Sequence, residues 1–135
     1  MNLPKIDKLL GAIAIDLEGT LLNRHTQLSE CNHTALQNCI ERGIAVIIAT
    51  SRPVRIFNRI FPLDLAARCS LVMMNSTLAV GRFPLSGKIK QILPEKIIRG
   101  IINTALEYDP HTRVTIEIEG YEFGTNWNWD KEALW

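Results

Sequence analysis

Three short apolar runs, each closed by polar residues, constrain this chain more than any other feature. Gly11 to Ile15 runs into Asp16, Ile44 to Ala49 into Thr50-Ser51-Arg52, and Leu71 to Met74 into Asn75 and Ser76. The runs are continuous rather than alternating. That is the pattern of strands buried on both faces, and so of a parallel sheet covered by helices. The segments between them read as helices. Ser29 is a candidate N-cap for Glu30 to Arg42, where Ala35, Leu36, Cys39 and Ile40 fall at helical spacing, and Gly43 supplies the stop. Pro53 fits the first turn of a helix carrying Ile56, Phe57, Ile60 and Phe61. Strand, helix, strand, helix, strand is an α/β arrangement whose ligands sit at the C-terminal strand ends. All three runs deliver polar residues there.

Beyond Asn75 the pattern changes. Leu78 to Arg82 and Lys88 to Leu93 read as two short strands. Pro94 opens a helix with Ile97, Ile98, Ile101, Ile102, Ala105 and Leu106 on one face, closed by Asp109-Pro110. This stripe reads as core packing rather than a binding groove. Val114, Ile116 and Ile118 alternate along Thr112 to Ile118, Glu119-Gly120 marks a turn, and Tyr121 to Thr125 returns. The expected organisation is residues 1–83 as a core unit and 84–135 as an appended α+β unit.

The 135 residues carry a formal net charge of +1, with 47% hydrophobic and 21% charged residues. That composition folds, and its charge gives no reason to expect nucleic acid or a membrane as partner. The apolar run before Asp16 is too short to span a bilayer. Cys31, Cys39 and Cys69 are odd in number and lack metal-knuckle spacing, so they read as buried free thiols of a reducing, cytoplasmic compartment. His25, His33 and His111 are scattered and suggest no metal site. Trp127, Trp129 and Trp135 cluster near the C-terminus and read first as packing.

A lone aspartate at a strand tip means little. Here Glu18 follows two residues later, Gly19 permits a sharp reversal, and Thr20 adds a hydroxyl. Two neighbouring carboxylates can divide nucleophilic attack from proton transfer. Taken singly, Asp16 reads as a strand-end acid, Glu18 as a solvated one, and Thr50 and Arg52 as loop residues.

Together, Asp16-Leu17-Glu18-Gly19-Thr20-Leu21-Leu22 and Ile47-Ile48-Ala49-Thr50-Ser51-Arg52-Pro53 resemble the first and second motifs of the haloacid dehalogenase (HAD) superfamily. The Cof-type sugar-phosphate phosphatases, which carry a large cap after the third strand, are the branch it most resembles. The resemblance implies an incomplete Rossmann-like HAD core with a partial α+β cap, and a phosphatase of small phosphorylated metabolites. Asp16 would attack the phosphate to form a phosphoaspartate, and Glu18 would serve as acid and base. Mg²⁺ would bind Asp16 and the backbone carbonyl of Glu18. Thr50 would hold a phosphate oxygen, and Ser51, Arg52 and Asn75 would line the substrate side.

Three departures stand against that pattern. Glu18 replaces the usual Asp, and its extra methylene moves the carboxyl on a scale of ~1 Å that matters for rate. Ser51 replaces a usual Gly and requires a negative φ, and Ser76-Thr77 replaces a usual Gly-Ala. The family's third-motif lysine and fourth-motif acids have no match. Lys88, Lys90 and Lys96 lie on or before the expected cap, and Asp109 and Asp130 follow no core strand. The alternative reading is therefore a catalytically incompetent HAD-like module. Without later core strands the first strand would be an edge, exposed to self-association or to a complementing chain.

Overall fold

The computed structural model describes residues 9–128. Trp129, Asp130 and Trp135 lie outside them. The chain divides into two compact units, Met1–Lys90 and Gln91–Trp135.

The first unit is built on a five-stranded sheet in the order β1-β2-β3-β4-β5. β1 (Ala12–Asp16), β2 (Ala45–Ala49) and β3 (Ser70–Met73) run parallel. β4 (Leu78–Val80) and β5 (Lys88–Lys90) add antiparallel to β3. β1 is the sheet edge, as the sequence implied. Its register sets Asp16 beside Ala49, and Ala49 beside Val72. All three parallel strands therefore present their C-terminal ends together.

The helices α1 (Glu30–Glu41), α2 (Val54–Ile60) and the short α3 (Leu63–Ala66) connect these strands. Leu36, Phe57 and Leu65 from them join Val46, Ile48, Leu71 and Met73 of the sheet in one buried cluster. One expectation fails at β1, which is not covered on both faces, whereas β2 and β3 have no exposed residue. In β1, Ile13 and Ile15 are half-buried whereas Ala12, Ala14 and Asp16 are exposed. The reason is topological. β1 is the edge strand and pairs only with β2 among the described residues.

Local chemistry fixes the α1 ends. The Ser29 hydroxyl accepts the Asn32 backbone N–H at 3.1 Å, the expected N-cap. At the other end Gly43 has φ +77°, its N–H donates to the Ile40 carbonyl, and the Ile44 N–H donates to the Cys39 carbonyl, both at 3.0 Å. This pair of bonds is a Schellman stop. A Cβ on Gly43 would meet nothing within 4 Å, so only backbone strain opposes substitution. That strain is about 1–2 kcal/mol, partly offset by about 0.4–1 kcal/mol from stiffening the unfolded chain. Gly43→Ala should thus lower the unfolding free energy in urea by about 1 kcal/mol, with an unchanged denaturant slope.

The second unit holds α4 (Glu95–Tyr108) and a hairpin of β6 (Thr115–Ile118) and β7 (Glu122–Thr125). The hairpin turns through Glu119 and Gly120, both at positive φ. The isoleucine stripe of α4 departs from its expected role. Ile97 and Ile101 are 49% and 58% exposed, and no α4 residue is buried. Trp127 packs under the Arg113 guanidinium, 5.0 Å from its ring centroid.

Candidate active site

The loop after β1 is held from below. Leu17, Leu21 and Leu22 are buried in the core, and the Leu22 N–H closes a wide turn on the Leu17 carbonyl at 3.0 Å. Gly19 reverses the chain at φ +71°, a conformation that strains any other residue. The Asn32 side chain donates to the Leu21 carbonyl at 3.1 Å and ties the loop to α1. These anchors leave Asp16 exposed at the strand tip, with no side-chain hydrogen bond among the described residues, and turn Glu18 toward β2.

Glu18, Thr50 and Arg52 come together. The Thr50 hydroxyl lies 3.2 Å from Glu18 Oε1 and 3.1 Å from Oε2, and donates to that carboxylate. Its oxygen accepts the Arg52 backbone N–H at 3.1 Å. Arg52 Nε donates to Glu18 Oε1 in an ion pair. Thr50 is buried at 7% exposure, fixed by its own N–H donating to the Val72 carbonyl at 2.9 Å. The Arg52 side chain is 21% exposed and that of Glu18 36%.

Ser51 is exposed and keeps a negative φ, which meets the condition its Cβ imposes. Asn75 is exposed in the β3–β4 turn and makes no side-chain hydrogen bond among the described residues. Its backbone is unusual: Met74, Asn75 and Ser76 have φ of 53°, 53° and 68° in succession. Left-handed non-glycine residues each cost about 1–2 kcal/mol, least for Asn. The turn persists because Thr77 braces it, its hydroxyl donating to the Met74 carbonyl at 2.8 Å and its N–H to the same oxygen at 3.1 Å. From the sequence Thr77 stood only as a departure from the family's usual Gly-Ala, with no role in the turn. A hydroxyl three residues after a strand's last residues was the available signal.

Magnesium favours six oxygens, taken from one or two carboxylates together with waters and phosphate. Asp16 and the backbone carbonyl of Glu18 are two donors. No third His, Cys, Asp or Glu joins them among the described residues, and the Glu18 carboxylate is already engaged. Among the described residues this set can hold magnesium only together with a bound phosphate and waters. The cysteines are free thiols, but against the expectation of burial Cys31 is exposed and Cys39 only half-buried, both on α1. Cys69 is fully buried, and that burial pushes its thiol up to about 11, with Asp64 adding to the shift and Arg68 opposing it.

The sequence profile of the haloacid dehalogenase-like hydrolases matches residues 13–132. The chain belongs to this family. It is 44% identical over 43 residues to the 5-amino-6-(5-phospho-D-ribitylamino)uracil phosphatase YwtE of Bacillus subtilis, covering 32% of the chain and 15% of that protein. It is 51% identical over 43 residues to the chloroplastic endoribonuclease YBEY of Arabidopsis thaliana, covering 30% and 7%. A solved HAD-superfamily phosphatase from Bacteroides thetaiotaomicron superposes with a TM-score of 0.72 at 24% identity, over 95% of this chain and 46% of that one. The HAD-like chain thus spans less than half the length of each of these proteins. The superposition confirms the α/β fold with its mostly parallel sheet that the sequence implied.

Proposed function

We propose that this protein is a phosphatase of small phosphorylated metabolites that works through a phosphoaspartate at Asp16. The observation that carries the reading is the placement of an exposed Asp16 carboxylate, without a side-chain hydrogen bond among the described residues, in parallel register beside the strand that leads into the Thr50–Arg52 loop. Family membership and the phosphatase named among its relatives support it.

The chemistry is a double displacement. An Asp16 Oδ attacks phosphorus, the bond from phosphorus to the ester oxygen breaks, and Glu18 gives that oxygen its proton. Water then attacks phosphorus, the Asp16–phosphoryl bond breaks, and Glu18 takes the proton. Thr50 and Arg52 hold the phosphoryl oxygens, offering one hydroxyl and one guanidinium where negative charge is concentrated. Ser51 and Asn75 lie on the substrate side. In this reading Asp16 and the backbone carbonyl of Glu18 would hold a Mg²⁺, which would offset the repulsion between the carboxylate and the phosphate.

The second unit, Gln91–Trp135, is read as a partial cap, where the sequence expectation began the cap at residue 84; β5 (Lys88–Lys90) lies in the first unit's sheet. The three thiols are free, which fits a cytoplasmic protein, and no described helix is long and apolar enough to cross a membrane. The open edge of β1 supports pairing with a second copy or a complementing chain.

The test is turnover of para-nitrophenyl phosphate with borohydride trapping, which reduces an aspartyl phosphate to homoserine. Peptide mapping should find the modification at position 16. Nitrophenolate release with an unmodified Asp16 would overturn the mechanism. A second reading, phosphate binding without turnover, is favoured by the engagement of Glu18 with Thr50 and Arg52. It predicts phosphate binding with neither nitrophenolate nor trapped product.

A further inference from the structure

We infer that Glu18 is an internal occupant of the phosphate position, a carboxylate that fills the Thr50–Arg52 pocket until an incoming phosphate displaces it. The inference rests on the reading of Thr50 and Arg52 as phosphate-binding groups.

The hydrogen bonds leave little freedom. Thr50 Oγ1 accepts from the Arg52 backbone N–H, so its single proton is committed to an acceptor on its other side. That acceptor is the Glu18 carboxylate, which the hydroxyl meets between its two oxygens. Arg52 Nε converges on one of the same oxygens. One hydroxyl and one guanidinium edge on a pair of oxyanion oxygens is also how a protein holds two oxygens of a phosphate. Both donors are largely withdrawn from solvent, and a half-buried guanidinium left without an anion is costly. Two anions cannot share these donors, so phosphate and the Glu18 carboxylate compete.

This gives the glutamate at position 18 a physical role. An aspartate there is shorter by about one carbon–carbon bond, ~1.5 Å, and loses the reach to both donors. Displacement also couples two events. Phosphate arrival takes Thr50 and Arg52 and releases the Glu18 carboxylate beside the bound phosphoryl group, where it takes up the proton of the phosphate monoanion and then passes it to the leaving oxygen. Asp16, which has no such partner, stays available throughout.

The experiment is a titration of the chain with inorganic phosphate, followed by backbone amide shifts of Thr50 and Arg52. Unperturbed amide spectra elsewhere confirm the fold of each variant. Glu18→Ala removes the occupant, Glu18→Gln removes its charge, and Glu18→Asp keeps the charge but shortens the reach. All three should bind phosphate at least about tenfold more tightly than the parent, since each loses a charge-assisted contact with the pocket. Glu18→Asp decides the matter, because mere relief of charge repulsion leaves its affinity unchanged. If Glu18→Asp binds no more tightly than the parent while Arg52→Ala weakens binding, the internal occupant is overturned and the phosphate site stands. If adding Arg52→Ala to Glu18→Ala leaves phosphate binding unchanged, or if no variant binds phosphate, the underlying site reading fails as well.

Discussion

Asp16→Asn should abolish turnover of para-nitrophenyl phosphate, by at least about 10³-fold in kcat, while the protein stays folded. The two halves of that expectation come from the same geometry. Asp16 is exposed and makes no side-chain hydrogen bond among the described residues, so its charge supports no contact that folding depends on. Exposed substitutions of this kind change stability by about 0.5 kcal/mol or less. The chemical loss has a separate origin. A carboxamide is nearly isosteric with the carboxylate but is neutral and a poor nucleophile, and it cannot be regenerated from an acyl phosphate by water. The melting temperature and the turnover number should therefore separate cleanly. Turnover within tenfold of the parent, in a folded Asp16→Asn protein, would sink the phosphoaspartate.

The fold was largely legible because its signals are short-range. The apolar runs placed β1, β2 and β3, each within a residue or so of the structure. Ser29 and Gly43 closed α1 at the ends their chemistry dictates, one through a side-chain acceptor and one through a left-handed backbone. Pro53 and Pro94 each immediately precede a helix, at the N-cap. What the runs could not reveal is coverage. An apolar strand records that it is suited to burial on both faces, but not which helices are present to bury it. Hence Ala12 and Ala14 are exposed on β1, and Ile97 and Ile101 on α4, although their sequence patterns are those of packed faces.

The site divides along the same line. Strand-end logic brought Asp16, Thr50-Ser51-Arg52 and Asn75 to one edge of the sheet, and the register bears this out. The partnership of Glu18 with Arg52 was not legible. It joins residues 34 apart in sequence, and depends on a side-chain length that a motif letter does not encode. From sequence, the extra methylene of Glu18 was a defect in an acid/base group. In the structure the same methylene lets the carboxylate reach Thr50 and Arg52.

The second large effect lies beneath that site. Phe57→Ala should destabilise the first unit by about 3–5 kcal/mol, the cost of emptying a fully buried aromatic position. Phe57 is completely buried and stacks on Phe61 with ring centroids 4.8 Å apart. It joins the cluster that includes Leu17 below the Asp16 loop and Ile48 of β2. Domains of ordinary size have only about 5–15 kcal/mol of stability in total, and the edge strand β1 of this sheet is exposed at Ala12 and Ala14. Each kilocalorie lowers the melting temperature of a domain this size by about 4–8 °C, so a drop on the order of 20 °C is expected. Phe57→Leu fills most of the volume and should cost no more than about 1.5 kcal/mol. The difference between the two variants separates packing from loss of the aromatic pair, which accounts for about 0.5–1.5 kcal/mol. Calorimetry or thermal circular dichroism reads both, and a shift under 5 °C for Phe57→Ala would show that this cluster does not hold the unit together. α2 begins directly after Arg52-Pro53, and Leu17 anchors the loop that carries Glu18. Loosening Phe57 therefore acts on both sides of the Glu18–Arg52 pair. Phosphate affinity should fall in Phe57→Ala even at temperatures where the fold persists.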